Sequence, residues 1–159
     1  MSAMKTFNIF SPAFEYDDSD PDGFHAGMDR FGPKIGASKI GASVYELPPG
    51  QALCPYHYES DEEWIIVLDG DVSVRHPDGT DVLKPGDAAA FPIGPAGAHK
   101  VFNASEGTVR LMMLSTKEDP AYCVYPDSNK IGYFNGDRSQ HVMARLGENL
   151  DYYDGESHP

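Results

Sequence analysis

From Lys39 onward, short runs of β-branched, aromatic and aliphatic residues alternate with turn-forming clusters at close, regular spacing. The runs are Ala42 to Leu47, Leu53 to Tyr58, Glu63 to Leu68, Val72 to His76, Asp81 to Leu83, Ala88 to Phe91, His99 to Asn103 and Val109 to Thr116. Between them stand Pro48-Pro49-Gly50, Asp69-Gly70, Pro77-Asp78-Gly79, Lys84-Pro85-Gly86 and Ser105-Glu106-Gly107, all rich in residues that accept turn dihedrals. This rhythm predicts an all-β domain: a small barrel of two sheets whose edges are closed or covered. Trp64 to Leu68 and Leu111 to Leu114 are apolar on both faces. One face would fill the barrel, and the other would need cover.

A second copy of the chain is the simplest cover, and the chain's own ends are the alternative. Residues 1–35 hold the apolar run Phe7-Asn8-Ile9-Phe10, which could add an edge strand, and then a polar arm, Glu15 to Gly23. Residues 119–159 carry Tyr122, Val124, Tyr125, Ile131, Tyr133 and Phe134, enough to pack a strand against the sheet. Gln140 to Leu146 reads as a brief helix, and Asp151 to Glu156 as a loose acidic tail. The expected organisation is an N-terminal arm (1–35), a barrel (36–118) and a C-terminal extension (119–159), without internal repeats.

Composition narrows the partners. A chain of 159 residues suits one domain with a full core. Its 25 acidic residues against 12 basic ones give a net charge of -13, a field that repels phosphate backbones and argues against nucleic acid. No run approaches the ~18 apolar residues of a membrane span, and the opening MSAMKTFNIF lacks a signal-peptide core. With two cysteines, Cys54 and Cys123, the expectation is a soluble, cytoplasmic protein without a disulfide framework. Cys54 has no basic neighbour in sequence and reads as a buried structural thiol.

The chemistry concentrates in Gly50 to Gly70, GQALCPYHYESDEEWIIVLDG. His57 and Glu59 are two apart, so on an extended chain both leave from one face. Glu63 follows the polar reversal Ser60-Asp61-Glu62 and opens the next apolar run. Later, Gly86, Pro92 and Gly94 precede His99 and Asn103, bringing another imidazole from a distant strand. Asp18, Asp20, Asp22 and Gly23 open a calcium-loop pattern with Asp29 where Glu belongs, but flanking helices are missing and Pro21 interrupts it. A solvated acidic loop is the preferred reading. His25 and His76 read as surface histidines, and Asn103 as a side chain that bonds a neighbouring turn.

These two stretches resemble the paired motifs of the cupin family. The first runs Gly, five residues, His-x-His, three or four residues, Glu, six residues, Gly. The second runs Gly, five residues, Pro-x-Gly, two residues, His, three residues, Asn. Glu63 and Gly70 fit the first, and Gly86, Pro92, Gly94, His99 and Asn103 fit the second with two extra residues before His99. His57 stands seven residues after Gly50 rather than six, and Glu59 takes the second histidine's place. A strict count would put Tyr56 and Tyr58 there instead, and tyrosine is a poor ligand for most divalent metals.

The resemblance implies a double-stranded β-helix, or jelly-roll, barrel holding a divalent metal (iron, manganese, nickel, cobalt or zinc) at His57, Glu59, Glu63 and His99. Without Glu59 in the shell, the remaining three form a two-histidine, one-carboxylate set. Glu59 would then be a candidate general base. A metal-dependent enzyme on a small organic molecule, oxygenase-like or isomerase- or lyase-like, is the first functional reading. A non-catalytic cupin that binds a sugar or other small ligand is the second, and a protein-interaction module the third. Single-domain cupins are often dimers, so a homodimer is expected.

Overall fold

The computed structural model describes residues 3–147 and 149–157. It contains the strands β1 (Gly27–Arg30), β2 (Ile40–Leu47), β3 (Tyr58–Glu59), β4 (Glu63–Asp69), β5 (Val72–His76), β6 (Gly79–Leu83), β7 (Ala88–Phe91), β8 (Lys100–Phe102), β9 (Val109–Thr116), β10 (Ala121–Tyr125), β11 (Lys130–Phe134) and β12 (Val142–Arg145). The fold is all-β and jelly-roll in character, with antiparallel pairing throughout. The large sheet has the order β1-β2-β9-β4-β7. Facing it are two smaller sheets, β6-β5-β8 and β12-β11-β10-β3. Isolated bridges Ala52↔Phe102 and His57↔His99 join residues 52–59 to β8 and so connect the two smaller sheets.

The core lies between the layers. Ile65, Val67, Leu111 and Met113 from the large sheet meet Val72, Val74 and Val101 from the opposite side. Each such side chain, once buried, stabilises the fold by about 1.5–3 kcal/mol. The alternate residues of the large sheet point outward, and the N-terminal arm supplies much of their cover. Phe7, Ile9 and Phe14 pack with Phe31, Ala42, Val44, Leu68, Met112 and Leu114. Phe7 stacks on Phe31 with ring centroids 4.7 Å apart. Residues 7–10 therefore form no edge strand; they turn around Asn8 and lie over the sheet, because Phe7 and Ile9 bury more area there than an exposed edge would offer, while Phe10 stays exposed.

Two further expectations change. Gln140 to Leu146 is no helix: a three-residue 3₁₀ turn, Arg138–Gln140, gives way to β12, which pairs with β11 from Lys130↔Arg145 to Tyr133↔Val142. A seven-residue helix would have to stand almost alone, whereas the edge of β11 offers ready backbone partners. The run Leu53 to Tyr58 is mostly a bend, with Ala52 and His57 touching the ladder only singly. Pro55, which has no N–H to donate, sits in its middle.

The acidic arm holds no calcium-like loop with Asp29. That carboxylate is buried on β1, ion-paired to Lys34, and accepts the Ala13 N–H at 2.8 Å. His76 is more enclosed than expected, with Nε2 3.2 Å from Asp81.

Candidate metal centre

His57 and His99 face each other across the bridge that joins the two smaller sheets. Each backbone N–H donates to the other's carbonyl, at 3.0 and 2.8 Å. Both rings are oriented from behind. The Nδ1–H of His57 donates to the Pro55 carbonyl at 2.9 Å, and that of His99 to the Gly97 carbonyl, also at 2.9 Å. With Nδ1 so engaged, each neutral ring presents its Nε2 lone pair forward. Both Nε2 atoms point at one oxygen of Glu63, at 3.8 Å from His57 and 3.2 Å from His99.

Three electron-rich atoms converging without a donor between them would repel one another. A cation between them resolves this. Donors bound at about 2.1 Å to one ion lie roughly 3–3.4 Å apart, close to the separations found here. The residues thus fit a divalent metal, and the ligand atoms of His57, Glu63 and His99 all lie within 4.8 Å of one another. In the metal-free protein a proton on His57 plays the cation's part. Burial works against its charge, but the hydrogen bond to Cys54 and the Glu63 carboxylate nearby prevail and lift its pKa to about 12. Glu63 is the counterpart: burial disfavours its ionisation, yet the two histidine rings beside it hold its pKa at about 2.

Glu59 stands beside this trio. On β3 it pairs with Cys123 of β10, and its carboxylate groups with His57 and Cys123 within 4.8 Å. Burial, and then the charge of Glu63, raise its pKa to about 8. The four candidates thus share one neighbourhood, with three in one donor cluster and the fourth in an adjoining cluster through His57.

The departures from the family spacing have local explanations. The extra residue before His57 falls in the bend at residues 53–56, where it disturbs no ladder. Tyr56 is buried away from the donors, under the Arg75 guanidinium, 3.9 Å above its ring. The two extra residues before His99 lie in the 3₁₀ turn Pro95–Gly97, whose last carbonyl holds His99. A Cβ on Gly97 would come within 1.7 Å of the Pro92 carbonyl oxygen, so this turn requires glycine. Phe91 stacks on His99, centroids 3.7 Å apart and planes 7° from parallel. Asn103 bonds the chain behind the site, donating to Leu47 at 2.8 Å and Gly107 at 2.7 Å and accepting from Ser105 at 2.9 Å.

Cys54 corrects the sequence reading. Rather than fully buried, it is half-exposed with Sγ 3.4 Å from His57 Nδ1. Cys123 and Tyr125 also reach the centre from β10, the Tyr125 ring 6.0 Å from that of His57. Their arrival depends on the β10–β3 pairing, which joins residues more than sixty positions apart, and no local pattern announces it. Beyond Glu59 and Glu63 opens a cavity of about 730 Å³ that reaches Ser43, Tyr45, Met113 and Arg30.

Comparison with known proteins agrees with this fold. The family model described as Cupin domain matches residues 43–115. Residues 43–115 are a cupin domain. Solved structures extend the likeness to the rest of the chain. A protein of Silicibacter pomeroyi, described as a sugar phosphate isomerase from the cupin superfamily, superposes with a TM-score of 0.78 at 21% identity, covering 92% of this chain and 97% of its own. An Acidithiobacillus ferrooxidans protein provisionally named a sugar phosphate isomerase gives 0.70 at 22% identity, over 80% of this chain and 83% of its own. The polyketide cyclase RemF of Streptomyces resistomycificus gives 0.60 at 23%, over 73% and 81%. At these identities the likeness establishes the cupin fold. No curated protein matches the sequence significantly.

Proposed function

We propose that this cupin is a divalent-metal-dependent enzyme that moves a proton on a small hydroxy-carbonyl molecule, an isomerase-type reaction. His57, Glu63 and His99 would hold the ion and Glu59 would act as the base. The observation that carries this reading is the position of Glu59, next to the donor trio but outside it, with a carboxyl pKa raised to about 8. A group so poised gives and takes protons near neutral pH, as a general acid–base catalyst must.

When bound, the ion supplies Lewis acidity that makes a proton beside a carbonyl easier to remove. The remaining steps belong to the chain. The carbonyls of Pro55 and Gly97 hold the imidazoles in one tautomer, Phe91 fixes the plane of His99, and the cavity admits a molecule of a few carbons. The ionised Glu59 carboxylate would take the proton from the hydroxyl-bearing carbon next to the carbonyl and return it to the former carbonyl carbon, while the hydroxyl proton passes to the former carbonyl oxygen, so that carbonyl and hydroxyl exchange places. The names borne by the Silicibacter and Acidithiobacillus proteins point the same way. We also infer that the protein is cytoplasmic and a homodimer. Trp64, 47% exposed on the outer face of the large sheet, is a natural contact for a second copy.

The test has two parts. Plasma mass spectrometry on untagged protein never exposed to chelator should find near-stoichiometric metal, lost in His99→Ala. Metal-loaded protein incubated in D₂O with a panel of small aldoses and ketoses should exchange the proton next to the carbonyl, and Glu59→Gln should stop exchange while retaining metal. No metal in the wild type, even after incubation with each ion, would leave a non-catalytic binding cupin as the better account. The two-histidine, one-carboxylate trio supports a second reading, iron(II)-dependent oxygen chemistry. Oxygen consumption by iron-loaded protein without proton exchange would select it.

A further inference from the structure

Arg30 ends β1 on the cavity side of the large sheet. Its register partner is Ser43, which pairs with Met113, and Met113 pairs with Ile65. Residues directly opposite one another in antiparallel strands share a face, so Arg30 belongs to the inner face that Ile65 and Met113 fill. Arg30, Ser43 and Tyr45 line the same cavity as Glu59 and Glu63. Tyr45 lines the same wall as Ser43, two positions along β2. Burial raises its pKa, and it feels both the Glu63 carboxylate and the Arg30 guanidinium.

What sets Arg30 apart from the chain's other cations without a carboxylate partner is its place on the inner face, on the cavity wall. Lys34, Arg75, Lys84 and Arg110 each pair with a carboxylate, whereas among the described residues Arg30 has none within 4.0 Å. Of the other carboxylates on the cavity wall, Asp61 and Asp119 are engaged elsewhere, and Glu118 stands beside them. Asp61 accepts from the Thr116 hydroxyl at 2.9 Å and the Glu118 N–H at 2.8 Å, and Asp119 accepts from Gly136 at 3.2 Å. Lys117, also on the cavity wall, is likewise without a carboxylate partner among the described residues. Two such cations therefore line the cavity that Glu59 and Glu63 also line.

We propose that the substrate is an anion whose charged end, a carboxylate or a phosphate, is held by Arg30 with the hydroxyls of Ser43 and Tyr45, while its reactive end lies at Glu59 and Glu63. The assignment rests on the small-molecule reading above and adds the chemical class of the molecule. The guanidinium fork matches either anion with two parallel N–H···O bonds.

The test is calorimetric titration of metal-loaded full-length protein at low ionic strength with inorganic phosphate and, separately, malonate. Wild type should bind at least one of them, and which one separates a phosphorylated from a carboxylated substrate. Arg30→Ala should weaken that binding about ten-fold or more, with Arg30→Lys recovering part of it. Lys84→Ala removes the same charge far along the chain, outside the cavity, and should leave the affinity unchanged. Arg30 is exposed, so its variants should melt with the wild type. The assignment fails if neither anion binds wild type, if Arg30→Ala binds as wild type does, or if Lys84→Ala loses as much. His99→Ala, titrated alongside, keeps the two readings distinguishable. Anion binding that needs Arg30 but survives there supports the anion subsite even if the metal reading fails.

Discussion

Phe91 shows how one side chain can govern a centre it does not join. Its ring lies flat on His99 and opposite Glu63 in register, so it fixes the imidazole plane and backs the carboxylate strand. Phe91→Leu keeps an apolar side chain but removes the stack. Metal affinity, measured by competition with a chromophoric chelator, should fall about 10–100-fold while the protein stays folded. Protonation makes a second prediction at this scale. Glu59 holds its proton to about 8 in the folded protein against an ordinary 4.5, so the folded state binds the extra proton between those values. The stabilisation is complete below about pH 4.5 and is lost as pH rises through about 8. His57, raised from 6.5 to about 12, acts in the same direction over its own window. Glu63 opposes them only in acid, its contribution falling away as pH drops from 4.5 toward about 2. The melting temperature of metal-free protein should therefore fall between about pH 5 and pH 8, and Glu59→Gln should flatten that slope. An equally steep slope in the variant would remove Glu59 from the account. Bound metal displaces the proton from His57, so metal affinity should rise with pH.

Strand ends, more than strand middles, position the chemistry. His99 enters from the 3₁₀ turn before β8, and Asn103 closes the other end of that strand by bonding Leu47, Gly107 and Ser105. Asn103→Ala would leave buried carbonyls of this junction without their donor. It should cost about 1–3 kcal/mol, read by urea unfolding. Gly97→Ala acts at the opposite end. The added Cβ must displace the Pro92 carbonyl, moving the Gly97 oxygen that orients His99. Metal affinity should drop even in protein whose far-ultraviolet spectrum is native. The middle of the large sheet carries stability instead, and Ile65→Ala, at a fully buried position, should cost about 2–5 kcal/mol without altering the donor set.

Across the whole molecule, the N-terminal arm and the C-terminal strands complete the two layers. Phe7, Ile9 and Phe14 cover one part of the large sheet's outer face, and β10 to β12 lengthen the opposite layer and deliver Cys123 and Tyr125 to the site. Trp64 and Ile40 stay 47% exposed beyond the arm. The homodimer reading predicts a light-scattering mass of twice the 17.4 kDa of the chain, reduced to one chain by Trp64→Glu. A monomeric wild type would show that the arm alone is cover enough. No helix among the described residues is long and apolar enough to cross a membrane.

Period-two patterning and turn residues were enough to read β5, β7 and β9 to the residue from sequence, because strand parity and turn dihedrals are local properties. The same locality made His57, Glu59, Glu63 and His99 legible as candidates, since short spacings and ordered motifs survive without coordinates. The helix expected at residues 140–146 failed because seven residues have little local preference and the free edge of β11 decided the matter. Likewise, which side of the sheet residues 7–10 would cover, and that Arg30 would line the cavity of Glu63, depend on which strands pair across the chain. Those pairings are set by the joint burial of distant residues, a free energy that exists only once the layers have met.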